Sequence, residues 1–161
     1  MLCTAPATAL PAQTYTRLYS FDGPDGKSPA AALTQGADGH LYGTTLTGGL
    51  DGANCMLGCG TIFKTTPGAA GTTLYKFCSE IGCADGFAPG ASLAQATNGD
   101  FYGTTEYGGA NAGPDDDGAG TIFKITPNGT LTTLYSLCSQ SGCTDGQTPY
   151  AGLVQAANGD F

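Results

Sequence analysis

A chain of 161 residues is long enough for one ordinary domain with its own core. Charged residues make up only 11%, against roughly 25% in soluble domains, and 13 acidic against five basic side chains leave a net charge of −8. That balance argues against nucleic acid and against an anionic membrane surface, both of which need clustered Lys and Arg. No apolar run approaches the roughly 18 residues that a membrane-spanning helix requires. The 27 glycines and nine prolines would suit a disordered chain, but eight Tyr and seven Phe recur at fixed spacing, which predicts ordered, turn-rich β structure. No segment carries a long helical apolar periodicity.

Residues 1–14 are small and apolar with A-x-A-like choices, as in the tail of a secretory leader whose basic start is missing. From residue 15 onward one phrase is repeated. Tyr42 recurs as Tyr102, Gly60 as Gly120, and Asp25 with Pro29 as Asp85 with Pro89 and Asp145 with Pro149, always 60 residues on. Leu33, Leu93 and Leu153 keep the same step, each followed two residues later by Gln35, Gln95 and Gln155. The organisation is therefore a last strand of a preceding unit (15–28), a first unit (29–84), a second unit (85–144) and a truncated start of a third (145–161).

The second unit contains four strand-like runs, Gly90–Ala96, Asp100–Glu106, Gly120–Pro127 and Thr130–Leu137. Asn98-Gly99 and Asn128-Gly129 lie between consecutive runs and predict two-residue type I′ hairpins. Asn128-Gly129-Thr130 also fits a glycosylation acceptor, although the turn reading is the stronger one. Four antiparallel strands joined by hairpins and repeated along a chain describe an all-β fold of β-propeller-type four-stranded antiparallel blades. The small residues around Leu33, Leu93 and Leu153 suit inner strands crowded near an axis, and Ile62, Phe63, Tyr75, Ile122, Phe123 and Tyr135 suit the wider gaps between blades. About four to eight blades close a propeller, so this chain is expected to form an incomplete ring, completed by further blades or by self-association.

The phrase "NGDFYGTTEYGG…GTIFKITPNGTLTTLYSL" resembles the GloVer-type tandem repeat of secreted bacterial proteins, over about residues 15–161. The resemblance implies an extracellular or surface-anchored repeat protein with a propeller fold, and it brings no catalytic residue.

Cys78 and Cys83 occupy the same place as Cys138 and Cys143, whereas Cys55 and Cys59 have no repeat counterpart and Cys3 lies in the leader-like segment. In an oxidising compartment three local disulfides are the simplest of several pairings. Zinc is disfavoured because the three pairs stand far apart in repeat coordinates and His40 is the only histidine. His40 aligns with Asp100 and Asp160 and reads as a solvated turn residue. Asp115, Asp116 and Asp117 put hard oxygen donors in one loop that would suit Ca²⁺, the only cofactor the sequence suggests, although a solvated charge run is the plainer reading. Gln35, Gln95 and Gln155 either line a channel or satisfy backbone groups between blades. Glu106 and Tyr107 replace Leu46 and Thr47 and are candidates for a binding rim. No carboxylate pair for glycoside hydrolysis can be placed. The expected function is binding or scaffolding of a carbohydrate or protein ligand outside the cell, without catalysis. The alternative is a piece of a secreted polysaccharide-degrading propeller enzyme whose active residues lie in other blades.

Overall fold

The computed structural model describes residues 16–52, 55–66, 71–111 and 117–161. They form two four-stranded antiparallel sheets with simple up-and-down order. The first comprises β1 (Thr34–Gln35), β2 (Leu41–Thr45), β3 (Thr61–Thr65) and β4 (Thr72–Lys76). The second comprises β5 (Ala94–Gln95), β6 (Phe101–Thr105), β7 (Thr121–Ile125) and β8 (Leu131–Ser136). The registers coincide after one repeat step: Tyr42 faces Lys64 as Tyr102 faces Lys124, and both sheets carry a bulge, at Ile62/Phe63 and at Ile122/Phe123. Only single 3₁₀ turns, Ile81–Cys83 and Ser141–Cys143, interrupt the β structure among the described residues. No helix there is long and apolar enough to cross a membrane.

Two local expectations need correction. The hairpin at Asn98-Gly99 is not type I′, because Gly99 has φ +88° while Asn98 keeps a negative φ. Gly99 N–H donates to the Ala96 carbonyl at 2.9 Å and Ala96 N–H to the Asp100 carbonyl at 2.9 Å. This is a three-residue loop with glycine in the left-handed bulge position. Asn98 contributes its side chain instead, with Oδ1 accepting from Asp100 N–H at 3.0 Å. The same loop recurs at Gly129, where Gly129 N–H donates to Thr126 and Thr126 N–H to Thr130.

The first strand of each sheet is two residues long, much shorter than Gly90–Ala96. Part of that run bonds outward rather than into its own sheet. The Ala91 carbonyl accepts from Thr44 Oγ1 at 3.0 Å and the Leu93 carbonyl from Thr34 Oγ1 at 2.5 Å, both from the preceding unit. Gly-, Ala- and Ser-rich sequence lets the neighbouring backbone come this close.

The interface between units is built on stacked rings. Tyr42 of the first unit lies on Phe101 of the second, with centroids 4.0 Å apart, and Tyr102 lies on Phe161 at 4.2 Å. On the outer strands Phe21 meets Phe63 at 4.9 Å and Phe77 meets Phe123 at 5.3 Å, edge to face. Such pairs add about 1 kcal/mol each beyond the area they bury. Tyr42, Ile62, Phe77, Phe101, Phe123 and Ile125 are fully buried and form one core across the two sheets. Gln95 ties the backbones together, with Oε1 accepting from Ala37 N–H of the first unit at 2.9 Å and Nε2 donating to the Gly99 carbonyl at 3.1 Å. Gln155 repeats this with Thr97 and Gly159. These glutamines satisfy backbone groups between units.

Candidate functional site

Each unit places a short two-stranded bridge beside its sheet. Beside the first sheet, Lys27 N–H donates to the Thr47 carbonyl at 2.7 Å and Thr47 N–H to the Lys27 carbonyl at 3.2 Å. Beside the second, Phe87 and Tyr107 exchange the same bonds at 2.9 and 3.2 Å, and Glu106 N–H donates to the Ala88 carbonyl at 3.1 Å. The backbone device is common to both, but the side chains differ. A Lys–Thr pair becomes Phe87 stacked on Tyr107, with centroids 5.3 Å apart and planes inclined by 25°. Phe87 escaped the sequence reading, although its repeat counterpart is Lys27, an equally large departure.

Phe87, Tyr107 and Glu106 line a groove of about 290 Å³ whose other wall is the Cys55–Cys59 loop. Met56 and Leu57 stand on that loop 87% and 73% exposed and overhang the opening. Ala88 N–H donates to the Cys59 carbonyl at 2.9 Å, which fixes the loop against the bridge. The groove is thus lined largely by departures from the repeat: Glu106 and Tyr107, Phe87, and a cysteine loop without counterpart. Burial pushes the Glu106 carboxyl above the ordinary range, and that carboxyl has no hydrogen-bond partner among the described residues. A hydrogen bond with Tyr150, then burial, raises the Tyr107 hydroxyl. An aromatic face beside an unpartnered carboxyl can stack on an apolar ring and accept from its hydroxyls or amides.

The cysteines are joined as Cys55–Cys59, Cys78–Cys83 and Cys138–Cys143. The expectation that the pairs stand far apart fails for two of them. The sulfurs of Cys55, Cys59 and Cys78 all lie within 4.8 Å of one another. The long connection from β2 to β3 folds back over the end of β4, bringing a loop outside the repeat grammar against one inside it.

A second unforeseen feature is a carboxylate cage at the end of the fourth strand. Asp85, fully buried, accepts from Tyr75 OH at 2.8 Å, Ser79 N–H at 3.0 Å, Ser79 Oγ at 3.1 Å and Glu80 N–H at 3.3 Å. Asp145 takes the same bonds from Tyr135, Ser139 and Gln140. Asp25 takes them from Tyr19 OH and the backbone N–H groups of Asp22 and Gly23, without any cysteine loop. The signal was present in the sequence: Tyr75 and Tyr135 are 60 residues apart, whereas Tyr19 and Tyr75 are 56 apart, a difference equal to the missing loop. This is structural chemistry, since the donors are a tyrosine of the fourth strand and the turn that follows it.

The remaining candidates are not gathered into the groove. His40 Nδ1 sits 3.0 Å from Asp38 Oδ2 at its own hairpin. Asp115 and Asp116 lie outside the described residues. Asp117 is placed beside the bridge, where its carbonyl accepts from Gly108 N–H at 2.8 Å.

Fold and groove together define a tandem-repeat, all-β protein in which successive four-stranded units pack through stacked rings. The chain belongs to the Gloeobacter/Verrucomicrobia repeat family, which matches it over residues 7–161. No curated protein matches the sequence.

Proposed function

We propose that this chain is a binding or scaffolding segment that works outside the cell, as blades of a β-propeller. It holds a carbohydrate or protein ligand in the groove of Phe87, Glu106 and Tyr107 and does not itself catalyse. The observation that carries this reading is the meeting of the departures from the repeat in one groove. Repeats that only scaffold have no physical reason to concentrate an aromatic pair, an unpartnered carboxyl and two exposed apolar side chains at one place. At about 290 Å³ the groove is near the lower end of ligand pockets and suits one ring or one side chain. The extracellular setting is supported by three disulfides.

The blade reading rests on the unit-to-unit interface. Leu33 at one end and Val154 at the other occupy positions of the kind that the interior interface uses, and they are exposed. Further blades, or a second copy added head to tail, would cover them.

Glycan and peptide arrays probed with the intact chain test the ligand reading. Tyr107→Ala should weaken whatever binds on the order of tenfold or more, as truncation of a central aromatic does; unchanged binding by Tyr107→Ala and Glu106→Gln would refute it. The rival reading, a piece of a polysaccharide-degrading enzyme, draws on the raised Glu106 carboxyl, which suits a general acid. Hydrolysis needs a second carboxyl on the opposite side of the scissile bond, and Glu106 is the only one among the described residues lining the groove. Release of reducing ends from soluble polysaccharides by this chain, abolished by Glu106→Gln, would favour the enzyme.

A further inference from the structure

Cys55, Cys59 and Cys78 come from two separate connections, yet their sulfurs lie within 4.8 Å of one another. Metal–sulfur bonds of about 2.3 Å around one ion set its sulfurs a little under 4 Å apart, so the trio needs little adjustment to close on an ion. Cys59 is fully buried, Cys55 nearly so and Cys78 half-buried. Gly52 forms the floor: a Cβ there would meet the three sulfurs at 2.9, 3.2 and 3.4 Å, so only glycine leaves the cradle free. The donor set is all sulfur, which selects soft cations over calcium or magnesium.

We propose that, once the Cys55–Cys59 and Cys78–Cys83 bonds are reduced, Cys55, Cys59 and Cys78 bind one soft d¹⁰ metal ion as thiolates, of the Cu(I), Zn(II) or Cd(II) kind. A phosphine reduces each bond with two electrons and ends as its oxide with the oxygen of one water. The two protons of that water go to the two sulfurs. Metal binding then releases one proton from each of the three ligating thiols. The fourth position is left for a small exchangeable donor.

The cradle survives reduction for reasons built into the fold. Disulfides closing such short loops stabilise by only about 2 kcal/mol in the chain-entropy account. The turn that carries Cys78 is held by the Asp85 carboxylate through Ser79 N–H and Glu80 N–H. Asp25 holds the corresponding turn in the first cage with no disulfide at all. The second unit supplies an internal control, because Ala119 stands where Cys59 does and Cys138–Cys143 has no such neighbours among the described residues.

The test is an anaerobic titration of the phosphine-reduced chain with Cd(II), read by the ultraviolet thiolate-to-metal charge-transfer band, with circular dichroism alongside. The expected result is a one-to-one end point that persists in a chain carrying Cys138→Ser and Cys143→Ser. The band should be lost in Cys59→Ser and in Cys78→Ser, weakened by Gly52→Ala, unchanged by Tyr107→Ala and absent from the oxidised chain. A band equally strong in Cys59→Ser and Cys78→Ser would overturn the proposal. So would a reduced chain that gives no band, whether it keeps its β-sheet dichroism or loses it.

Discussion

Leu33 and Leu93 hold the same place in successive units, yet Leu33 is 44% exposed and Leu93 only 3%. Asp85 and Asp145 sit in the same cage with the same donors, and Asp85 is fully buried while Asp145 is not. Tyr75 is half-buried and Tyr135 exposed, a smaller difference in the same direction. The strand register and the cage hydrogen bonds repeat, so neither accounts for the differences. What differs is the neighbour. The face of the second unit that carries Leu93 is covered by β1 and β2 of the first, while the equivalent face of the first unit has no such pair of strands over it among the described residues. A repeat of this kind cannot bury its own apolar face, so its stability is largely a property of interfaces.

The comparison is broken most directly at the buried cage. Asp85→Ala leaves the Tyr75 hydroxyl and two backbone N–H groups without their acceptor; these are part-buried bonds to a charged group, and at about 1–1.5 kcal/mol for each the loss should be on the order of 4 kcal/mol. Urea unfolding followed by circular dichroism should show that loss, with Asp145→Ala shifting the midpoint far less; equal shifts would mean that the two units do not differ in cover. Leu93→Ala should cost about 3 kcal/mol, in the range for buried leucines that leave a cavity, while Leu33→Ala in the same assay should barely move the midpoint. If the two matched in a concentrated sample, the Leu33 face would have found a partner. Thr44→Val removes one buried inter-unit hydrogen bond to the Ala91 carbonyl and should cost about 1 kcal/mol. Thr104→Val, whose bond to Ala151 is part-buried, should cost less.

The smallest effects concern pH. Hydrogen bonds from Tyr135 and the Ser139 turn hold the Asp145 carboxyl well below the usual carboxylate range, and a hydrogen bond from the Tyr42 hydroxyl lowers that of Asp38. Both carboxyls are therefore ionised more readily in the folded chain. Their contribution is present above the ordinary carboxylate pKa of about 4 and is lost as pH falls below it. Burial, and then the partner aspartate, push the hydroxyls of Tyr42 and Tyr75 up to about 12. That contribution is present below the ordinary tyrosine value of about 10 and fades as pH rises from there to about 12. Thermal melts across the two windows should show stability falling at both ends. Asp145→Asn should flatten the acid limb; an unchanged limb would show that the cage carboxylates do not set it.

Much of the fold is legible in the sequence because it depends on residues close together along the chain. The period, the four-strand order and the turn positions follow from Asn-Gly, Gly-Gly and the strand-like runs that recur every 60 residues. Where that reading failed, a contact from outside the segment had intervened. The run Gly90–Ala96 predicts a full strand, but two of its carbonyls accept from Thr34 and Thr44 of the neighbouring unit. Glu106 and Tyr107 were visible as departures, whereas Phe87 becomes meaningful only when its ring is found on Tyr107.

By itself the sequence determined a repeated four-stranded all-β unit and which positions depart from it, since local turn chemistry and strand propensity act through neighbours in the chain. Only the tertiary structure decided that Asp85 is buried and Asp145 is not. It also decided that Cys78 meets Cys55 and Cys59, and that the departures share one groove. Those facts depend on which loop folds over which strand end and on whether another unit covers a face, and no residue carries that information alone.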